Sequence, residues 1–504
     1  MHTPSVVPRP VQGTATATRD VAAPLRWSTL AVSCGVFLAL CWRLRGFIAD
    51  DSWISVRYAE NLAQGAGPVW NPGGPRVEGF SNPLLVYLEA LAELSGWSAM
   101  SAARVLGVAA GLLCIALVWH LGRRVVGGVA AMVGTLLTGV SAPFALWAVG
   151  GLETTLTAAV LTAAVLVLAR SDGGRPVAAG ALLALLPWLR PEGLVAALAV
   201  AGLGEGFLLL RRRTRGRALR RLLGVAGLPV LSQAVLELVR LRVYGHLLPN
   251  SVLYKSGTGG AFDVAEKFVD QSALVLVIAG TGTVLLRRRQ LLLAVPVAVY
   301  LAGSVGTLDS ANAYSRFFMP VWPQVALLAG VVAAAVVAGV AGRRGAVAGA
   351  TLAVLTSLAT LIVLPGNIEE VDVRQQRYTD CLVAAREDVV RYLVAHTSRD
   401  ASFAISDAGL VPARAGGRTA VDSFLLNDPL IQQTGPLDPT QRADVVHDRE
   451  PDLLVLASRS PERFDPYYPT DGAIGTHPAA EDFELVHVGT GAAGCGYHLM
   501  VLSR

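Results

Sequence analysis

The sequence predicts an α-helical polytopic membrane protein with about eleven transmembrane helices and a C-terminal extracytoplasmic α/β domain. Three observations predict this fold class. Apolar residues make up 53% of the 504 residues and charged residues only 16%, a composition too apolar for one soluble core in a chain too long for one domain. Arginines gather in short clusters between apolar stretches, and the texture becomes that of a soluble domain after residue 365.

The formal net charge of +5 does not by itself indicate a nucleic-acid partner. The arginines flank apolar stretches, and the positive-inside rule of membrane proteins explains that arrangement better. The lipid bilayer is therefore a predicted partner of the chain, and nucleic acid is not.

Spanning helices are predicted from apolar stretches, because a helix that crosses a bilayer needs about 20 mostly apolar residues. Such stretches lie near 27–47, 101–122, 126–146, 151–170, 176–190, 192–210, 222–241, 272–286, 290–306, 319–340 and 346–364. Together they predict a transmembrane domain over residues 26–365, with a first outer loop over 48–100. Residues 1–25 are rich in Pro, Thr and Ala and are predicted to be a disordered cytoplasmic tail.

The distribution of charge predicts which connections face the cytoplasm. With the N-terminus inside, the inner segments hold nineteen arginines against two acidic residues, Asp20 and Asp172. Almost every acidic residue of the membrane part then lies on the outer side. An odd number of spans also places the C-terminal domain, residues 366–504, outside the cell membrane.

The C-terminal domain has the pattern of a small α/β fold. Residues 371–396 carry apolar residues at helical spacing, and strands are predicted near 402–406, 418–422, 452–457, 483–488 and 497–502. Cys381 and Cys495 lie in this domain, where an oxidising compartment would permit a disulfide. Unpaired thiols fit the sequence equally well.

The first outer loop is the most informative segment of the chain. Asp50 and Asp51 follow the first predicted span, and two adjacent carboxylates at a membrane surface are costly unless they have a purpose. They are placed to activate a hydroxyl or to hold a cation, and helix capping is the structural alternative. Further polar residues of the same loop are Arg57, Tyr58, Glu78 and Asn82, and apolar residues between them predict two helices lying in the membrane interface.

Other polar residues fall at the predicted outer ends of spans. They are Glu153, Arg190, Glu192, Asn250, Lys255, Tyr314 and Arg316. Glu153 fits a helix start equally well, because a carboxylate there favours the helix dipole. An Arg190–Glu192 ion pair and a head-group contact of Lys255 are the structural alternatives for those residues. Lys255 is one of only two lysines, and a lysine is a compact partner for phosphate.

These short blocks carry a resemblance to a known superfamily. The segment from Asp50 to Leu85 resembles the first extracytoplasmic loop of GT-C glycosyltransferases that use polyprenyl-phosphate sugars. The blocks Gly151–Thr154, Leu189–Gly193, Leu248–Ser251 and Tyr314–Phe317 look most like the actinobacterial terminal arabinofuranosyltransferase group. The resemblance covers most of the chain, but it is specific only in these blocks.

The resemblance implies an enzyme that transfers a sugar, arabinofuranose in this group, from a polyprenyl-phosphate donor to a cell-envelope polysaccharide outside the membrane. Asp50 matches the usual catalytic aspartate, with Asp51 as the second candidate. Cationic partners for the donor phosphate are Arg190, Lys255 and Arg316. Sugar and acceptor contacts are assigned to Arg57, Tyr58, Glu78, Asn82, Glu153, Glu192, Asn250 and Tyr314. No cofactor or metal is required by the sequence, although a divalent cation fits the paired aspartates.

Two alternatives to this function stay open on the sequence. A GT-C transferase with a hexosyl lipid donor, such as a mannosyl donor, would have the same fold. A carrier of lipid-linked sugars would perform no chemistry and would favour ionisable residues deep within the spans, whereas here they collect at the outer ends.

Overall fold

The computed structural model describes residues 23–169, 175–203, 215–256, 280, 281, 283, 290–304, 316–340 and 368–504. In the membrane part the helices are α1 (Ala23–Arg43), α2 (Asp50–Ala63), α3 (Pro83–Leu94), α4 (Ala99–Val125), α5 (Gly128–Gly139), α6 (Ala142–Val149), α7 (Thr154–Leu168), α8 (Pro176–Leu183), α9 (Leu186–Leu189), α10 (Gly193–Ala201), α11 (Arg215–Val243), α12 (Asn250–Ser256), α13 (Ala294–Ser304) and α14 (Trp322–Val340). Short 3-10 turns, Gln290–Leu293 and Met319–Val321, precede α13 and α14.

Three helices among the described residues are long and apolar enough to cross a membrane. They are Ala99–Val125, Gly216–Val243 and Met319–Val336, and α5 with α6 forms a fourth span if that pair, bent by 54°, is counted as one. Eleven spans are therefore not confirmed. Several predicted spans are broken into shorter helices. Ser141 starts a new helix as its N-cap, and α9 begins at Leu186 after a break, with Pro187 in its first turn. The predicted span near 346–364, most of the one near 272–286 and the tail over residues 1–22 lie outside the described residues.

The first loop contains the two predicted helices. Ala49 is extended, and Asp50 and Asp51 occupy the first turn of α2, where negative charge favours the positive end of the helix dipole. Pro83 begins α3, since a residue at the first helical position has no backbone hydrogen bond to lose.

The C-terminal domain contains the predicted sheet and helices. Its strands are β1 (Ser402–Ile405), β2 (Thr419–Asp422), β3 (Leu453–Ser458), β4 (Glu484–Thr490) and β5 (His498–Ser503), and their spatial order is β2-β1-β3-β5-β4. Pairs β1–β2 and β1–β3 are parallel, and β5 is antiparallel to β3 and β4. The helices are α15 (Ile368–Arg377), α16 (Ala384–His396), α17 (Leu410–Arg414), α18 (Leu430–Thr434), α19 (Pro439–Asp448) and α20 (Pro469–Gly475), with a π-helical turn (Tyr378–Val383) before α16 and a 3-10 turn (Pro478–Asp482) before β4.

Cys381 and Cys495 form a disulfide in this domain. Cys381 lies in the π-helical turn before α16, and Cys495 lies just before β5. The bond ties the helix that enters the domain to its central sheet, and the paired alternative is the one that the chain adopts.

The first loop and the C-terminal domain share one hydrophobic core. Val56 and Tyr58 of α2 and Phe80 of the loop pack in the same buried cluster as Val389 of α16 and Phe403 of β1. Burial of such side chains stabilises the contact by about 1.5–3 kcal/mol for each large side chain. The two segments are therefore held against each other.

Candidate functional site

Asp50 lies at the contact between the first loop and the C-terminal domain. Its side chain does not cap α2; Oδ1 instead accepts a hydrogen bond of 3.0 Å from the backbone N–H of Leu410, at the start of α17. The Arg386 guanidinium, on α16, lies 3.4 Å from the same oxygen. Among the described residues, no hydrogen bond or ion pair reaches Asp50 Oδ2.

The charge on Asp50 depends on its surroundings. Burial raises the pKa of the Asp50 carboxyl, the positive charge of Arg386 lowers that pKa, and the negative charge of Asp407 raises it. Asp407 in turn pairs with Arg386 at 3.0 Å and accepts a 3.1 Å hydrogen bond from the Tyr468 hydroxyl. Tyr497 also donates to Asp407. Two charged residues of the C-terminal domain, Arg386 and Asp407, therefore contribute to the pKa of Asp50 besides its burial.

Asp51 pairs with a cation from the distant part of the membrane domain. Arg316 Nη1 lies 2.7 Å from Asp51 Oδ2, and the Asp51 side chain is 54% exposed. Arg316 itself is only 7% exposed, and its Nε has no hydrogen-bond partner among the described residues. A buried guanidinium N–H without an acceptor costs free energy, and an anion placed there would satisfy it.

Arg190 lies close to this cation but has two carboxylate partners. It pairs with Glu153 at 2.8 Å and also with Glu192, so the ion pair considered as a structural alternative is present. The Phe317 ring lies between the two arginines, 5.2 Å from the Arg190 guanidinium and 5.8 Å from that of Arg316. The charge of Arg190 is thus balanced within the protein. Among the described residues, Arg316 has one carboxylate neighbour and one N–H donor without an acceptor.

Glu153 occupies the N-cap position of α7, but its side chain makes no capping hydrogen bond there. Besides Arg190, it accepts a 3.0 Å hydrogen bond from the Asn82 side chain, and Asn82 accepts one of 3.0 Å from Ser55. A chain of polar contacts therefore runs from α2 through the start of α3 to the residue before α7.

The other predicted residues of the first loop have structural contacts. Glu78 forms a two-bond ion pair with Arg240, with distances of 2.8 and 3.0 Å. Arg57 donates to backbone carbonyls of both the first loop and the C-terminal domain, at Trp70 and Arg418. These contacts satisfy buried charged groups. Arg57 fixes the loop on the C-terminal domain, whereas Glu78 fixes it on α11 of the membrane part.

Two further predicted residues join the membrane part to the C-terminal domain. Tyr58 donates to the Asn427 side chain at 3.0 Å, and Asn250 donates to the backbone carbonyl of Leu426 at 3.0 Å. Lys255 lies on α12, but its side chain and the whole of Tyr314 lie outside the described residues. The described residues hold no group of three or more His, Cys, Asp or Glu side chains at metal-binding distance, so the divalent cation stays a prediction.

Three solved structures align with most of this chain. ArnT from Cupriavidus metallidurans, in a structure bound to undecaprenyl phosphate, aligns with a TM-score of 0.57 and 16% identity over 95% of this chain and 98% of ArnT. The oligosaccharyltransferase of Archaeoglobus fulgidus aligns with a TM-score of 0.56 and 14% identity, over 86% of this chain and 69% of that one. The arabinofuranosyltransferase AftD from Mycobacteria aligns with a TM-score of 0.53 and 16% identity over 95% of this chain, which spans only 40% of AftD.

The chain has the GT-C fold. The expected fold is thereby confirmed in its mostly helical part and its C-terminal sheet domain, but not in the number of spans. Residues 367–499 also match a family described as a domain of unknown function, DUF8728. No curated protein sequence matches the chain.

The GT-C fold brings some of the predicted residues together. Asp50 and Asp51 lie at one end of α2, and Arg316 pairs with Asp51 from a segment 265 residues away in the sequence. Arg190 joins this group through the Phe317 ring. Glu78 and Asn250 form a second group, because the backbone N–H of Asn250 donates to the carbonyl of Glu78 at 3.0 Å.

Sequence reasoning missed Arg386 as a residue of the site. It lies in the predicted helix over 371–396, where nothing in the local pattern distinguishes it from other surface arginines. Asp407 lies in the Ser406–Gly409 segment after β1. An aspartate after a strand is explained by a turn as well as by a functional role, so the sequence did not single it out. A buried arginine between two carboxylates becomes visible only in three dimensions. In contrast, Asp422 accepts from the backbone N–H groups of Phe424 and Asn427, as a turn residue does.

Proposed function

We propose that this chain is a membrane glycosyltransferase that moves a sugar from a polyprenyl-phosphate donor to a hydroxyl of a cell-envelope glycan outside the membrane. The observation that carries the proposal is the position of Asp50 beside the Asp51–Arg316 pair, 2.7 Å between Asp51 Oδ2 and Arg316 Nη1. A carboxylate with one free oxygen and a buried guanidinium with one free donor are the two groups that such a transfer requires.

Asp50 acts as the general base in this proposal. Its Oδ2 accepts the proton of the acceptor hydroxyl while the hydroxyl oxygen attacks the anomeric carbon of the donor. The bond between that carbon and the phosphate oxygen breaks, and the polyprenyl phosphate leaves with the bonding electrons. A raised pKa suits the role, because a base is most effective when its pKa approaches the working pH.

Arg316 stabilises the leaving phosphate. Negative charge grows on the phosphate as the bond breaks, and the unpaired Nε of Arg316 is buried where such a charge interacts strongly. Lys255 remains a further predicted phosphate partner. Arg190, which already has Glu153 and Glu192 as partners, orients Phe317 and the neighbouring Arg316 in this reading.

Arabinofuranose is the proposed sugar. Its support is the resemblance of the short outer blocks to the terminal arabinofuranosyltransferase group, together with the fold similarity to AftD. If that transfer retains the anomeric configuration, a second carboxylate takes part. Asp51 is the better candidate because it is half exposed, whereas both oxygens of Glu78 are engaged by Arg240.

The test is an assay of the purified chain in lipid nanodiscs with radiolabelled polyprenyl-phosphate sugars. The arabinofuranosyl donor is compared with mannosyl and glucosyl donors, and wild type is compared with Asp50→Asn. Transfer from the arabinofuranosyl donor that is lost in Asp50→Asn supports the proposal. Transfer from a hexosyl donor alone replaces the sugar, and transbilayer movement of donor without any transfer indicates a carrier.

A further inference from the structure

The carboxyl ends of the three parallel strands carry a series of aromatic residues. Phe424 follows β2, and Tyr467 and Tyr468 follow β3. In open α/β sheets, ligands bind in the crevice outside the carboxyl ends of parallel strands, at the point where the chain connections leave to opposite sides. Here that point is β1, since β2 lies on one side of it and β3 on the other.

The rings form a continuous row that begins on the membrane part. The Tyr254 ring of α12 lies 5.9 Å from that of Phe424, and Phe424 lies 5.4 Å from Tyr468. Tyr468 lies 4.9 Å from Tyr467, which in turn lies 5.1 Å from Tyr497. We call Tyr254, Phe424, Tyr468 and Tyr467 the aromatic row. Tyr497, which is 2% exposed, closes the row at its inner end.

The aromatic row is not a sealed core. All four of its members are half-buried, so each ring keeps part of its surface open to solvent. Half-exposed tyrosines present an apolar face together with a hydroxyl that hydrogen-bonds, a combination that is enriched at binding surfaces. The guanidinium of Arg442 lies 5.1 Å from the Tyr254 ring and 5.8 Å from that of Phe424, and it holds these two rings from the buried side.

The inner end of the aromatic row reaches the proposed base. Tyr468 and Tyr497 both donate to Asp407, Asp407 pairs with Arg386, and Arg386 contacts Asp50. Two buried side chains, Asp407 and Arg386, thus connect the aromatic row to Asp50, and a ligand lying on the rings would extend toward Asp50. A sugar chain matches these contacts, because each ring of a saccharide has an apolar C–H face that stacks on aromatic rings and hydroxyls at its edge that bond to tyrosine and carboxylate oxygens.

We propose that the aromatic row binds the acceptor as a neutral oligosaccharide and directs its terminal hydroxyl to Asp50. This inference rests on the proposed transfer to a glycan and deepens it by assigning the acceptor subsite. It also gives the C-terminal domain, which matches a domain of unknown function, a role in acceptor recognition.

The test measures binding of a linear arabinofuranose hexasaccharide to the full-length chain in nanodiscs by titration calorimetry. It does not require sugar transfer. Phe424→Leu keeps an apolar side chain of similar size but removes the ring, and Tyr467→Ala removes a second ring. The matched control is Tyr392→Ala, a half-buried tyrosine of the same domain whose ring stacks on His396 and His487.

Each ring variant is expected to weaken hexasaccharide binding about tenfold, which equals about 1.4 kcal/mol, since it removes one stacking contact. The Tyr392→Ala control is expected to change binding less than twofold. Absence of hexasaccharide binding to wild type, unchanged binding in both ring variants, or equal weakening in the control overturns the subsite. Weaker binding of undecaprenyl phosphate alone would mean that lipid occupies the row, and this also overturns it.

Asp50→Asn separates this inference from the proposed function. The substitution removes the base but leaves the aromatic row intact, so hexasaccharide binding is expected to stay within about threefold of wild type. If Asp50→Asn kept full transfer while Phe424→Leu lost hexasaccharide binding, the assignment of the base would fall and the acceptor subsite would stand.

Discussion

Arg386 Nη1 lies 3.4 Å from Asp50 Oδ1, although 336 residues separate them in the sequence. Asp407 holds the same guanidinium from the other side at 3.0 Å. A buried arginine between two carboxylates links the C-terminal domain to the first loop. Its charge lowers the pKa of Asp50, so that a side chain of one domain sets the protonation of a side chain in the other.

Arg386→Gln is expected to change the pH dependence of sugar transfer. Loss of the positive charge raises the pKa of Asp50, so less of the base is ionised at neutral pH. In a plot of transfer rate against pH, the loss of rate on the acidic side is expected to occur at a pH higher by about one unit or more. Arg386→Lys keeps the charge and is expected to restore part of the shift.

The matched control for Arg386 is Arg391→Gln, an exposed arginine on the same helix that pairs with Asp388. Its pH profile is expected to match that of wild type. An unchanged acidic limb in Arg386→Gln, with lower activity at every pH, would show that Arg386 only supports the fold.

Gly409→Ala is expected to disturb the site directly. A Cβ at Gly409 would lie 2.3 Å from Asp50 Cγ, a distance that no real contact allows, so Asp50 or α17 must move. Because a displacement of about 1 Å at a catalytic group can cost about a hundredfold in rate, transfer is expected to fall by about that factor. Gly496→Ala, at an exposed glycine whose Cβ would meet nothing within 4 Å, is the control and is expected to retain transfer. Equal activity of the two variants would contradict the position of Asp50.

Arg316→Gln is expected to weaken binding of the polyprenyl phosphate. Charge-assisted bonds to phosphate contribute about 1.5–3 kcal/mol, so the affinity for undecaprenyl phosphate is expected to fall about 10- to 100-fold. Scintillation proximity with labelled undecaprenyl phosphate measures it. Arg449→Gln removes an exposed arginine that pairs with Asp428 and is expected to leave the affinity unchanged. The same affinity in Arg316→Gln as in wild type would remove Arg316 from the donor site.

The Cys381–Cys495 disulfide is expected to stabilise the C-terminal domain. The bond joins residues 114 positions apart, and removal of such a cross-link costs about 2–5 kcal/mol. A double Cys381→Ala, Cys495→Ala variant is expected to unfold at lower urea concentration, followed by tyrosine and tryptophan fluorescence. A reductant is expected to shift wild type toward the variant and to leave the variant unaffected. A wild type that does not respond to full reduction would contradict the prediction.

Asp471 is expected to make the stability of the domain fall as pH rises from about 4 to about 8. Burial raises the pKa of Asp471 to about 8, so the folded state prefers the protonated carboxyl. The contribution is fully present below the unfolded pKa of about 3.9 and is lost as pH rises through the folded value.

Asp471→Asn keeps a neutral side chain at every pH and removes this loss. The unfolding temperature of wild type is expected to fall by about 4 °C or more relative to Asp471→Asn between pH 6 and 9. Asp465→Asn, at an exposed residue, is the control and is expected to follow wild type. Parallel curves for wild type and Asp471→Asn would contradict the assigned pKa.

Local sequence patterns were sufficient to predict the helices and strands around the site. The five strands lie within two residues of their predicted positions. Alternating or continuous apolar residues in a strand reflect which of its side chains are buried, so the pattern can be read from the local sequence. The helices that begin at Asp50 and Pro83 are also where the sequence predicts them. The number of spans was harder to predict from the sequence. Hydropathy shows how many residues are apolar but not where a helix breaks, and the helix breaks near Pro187.

The sequence by itself determined the apolar helical part, the sheet domain, and the concentration of unusual polar residues at the ends of apolar segments, because composition and periodicity are local properties. Only the tertiary structure decided which charges are neighbours. It gave Arg190 two carboxylates, left Arg316 with a spare donor, and placed Arg386 against Asp50. Such pairings depend on how distant segments pack, and Coulomb interactions in a buried environment then fix which of the charged groups remain available for chemistry.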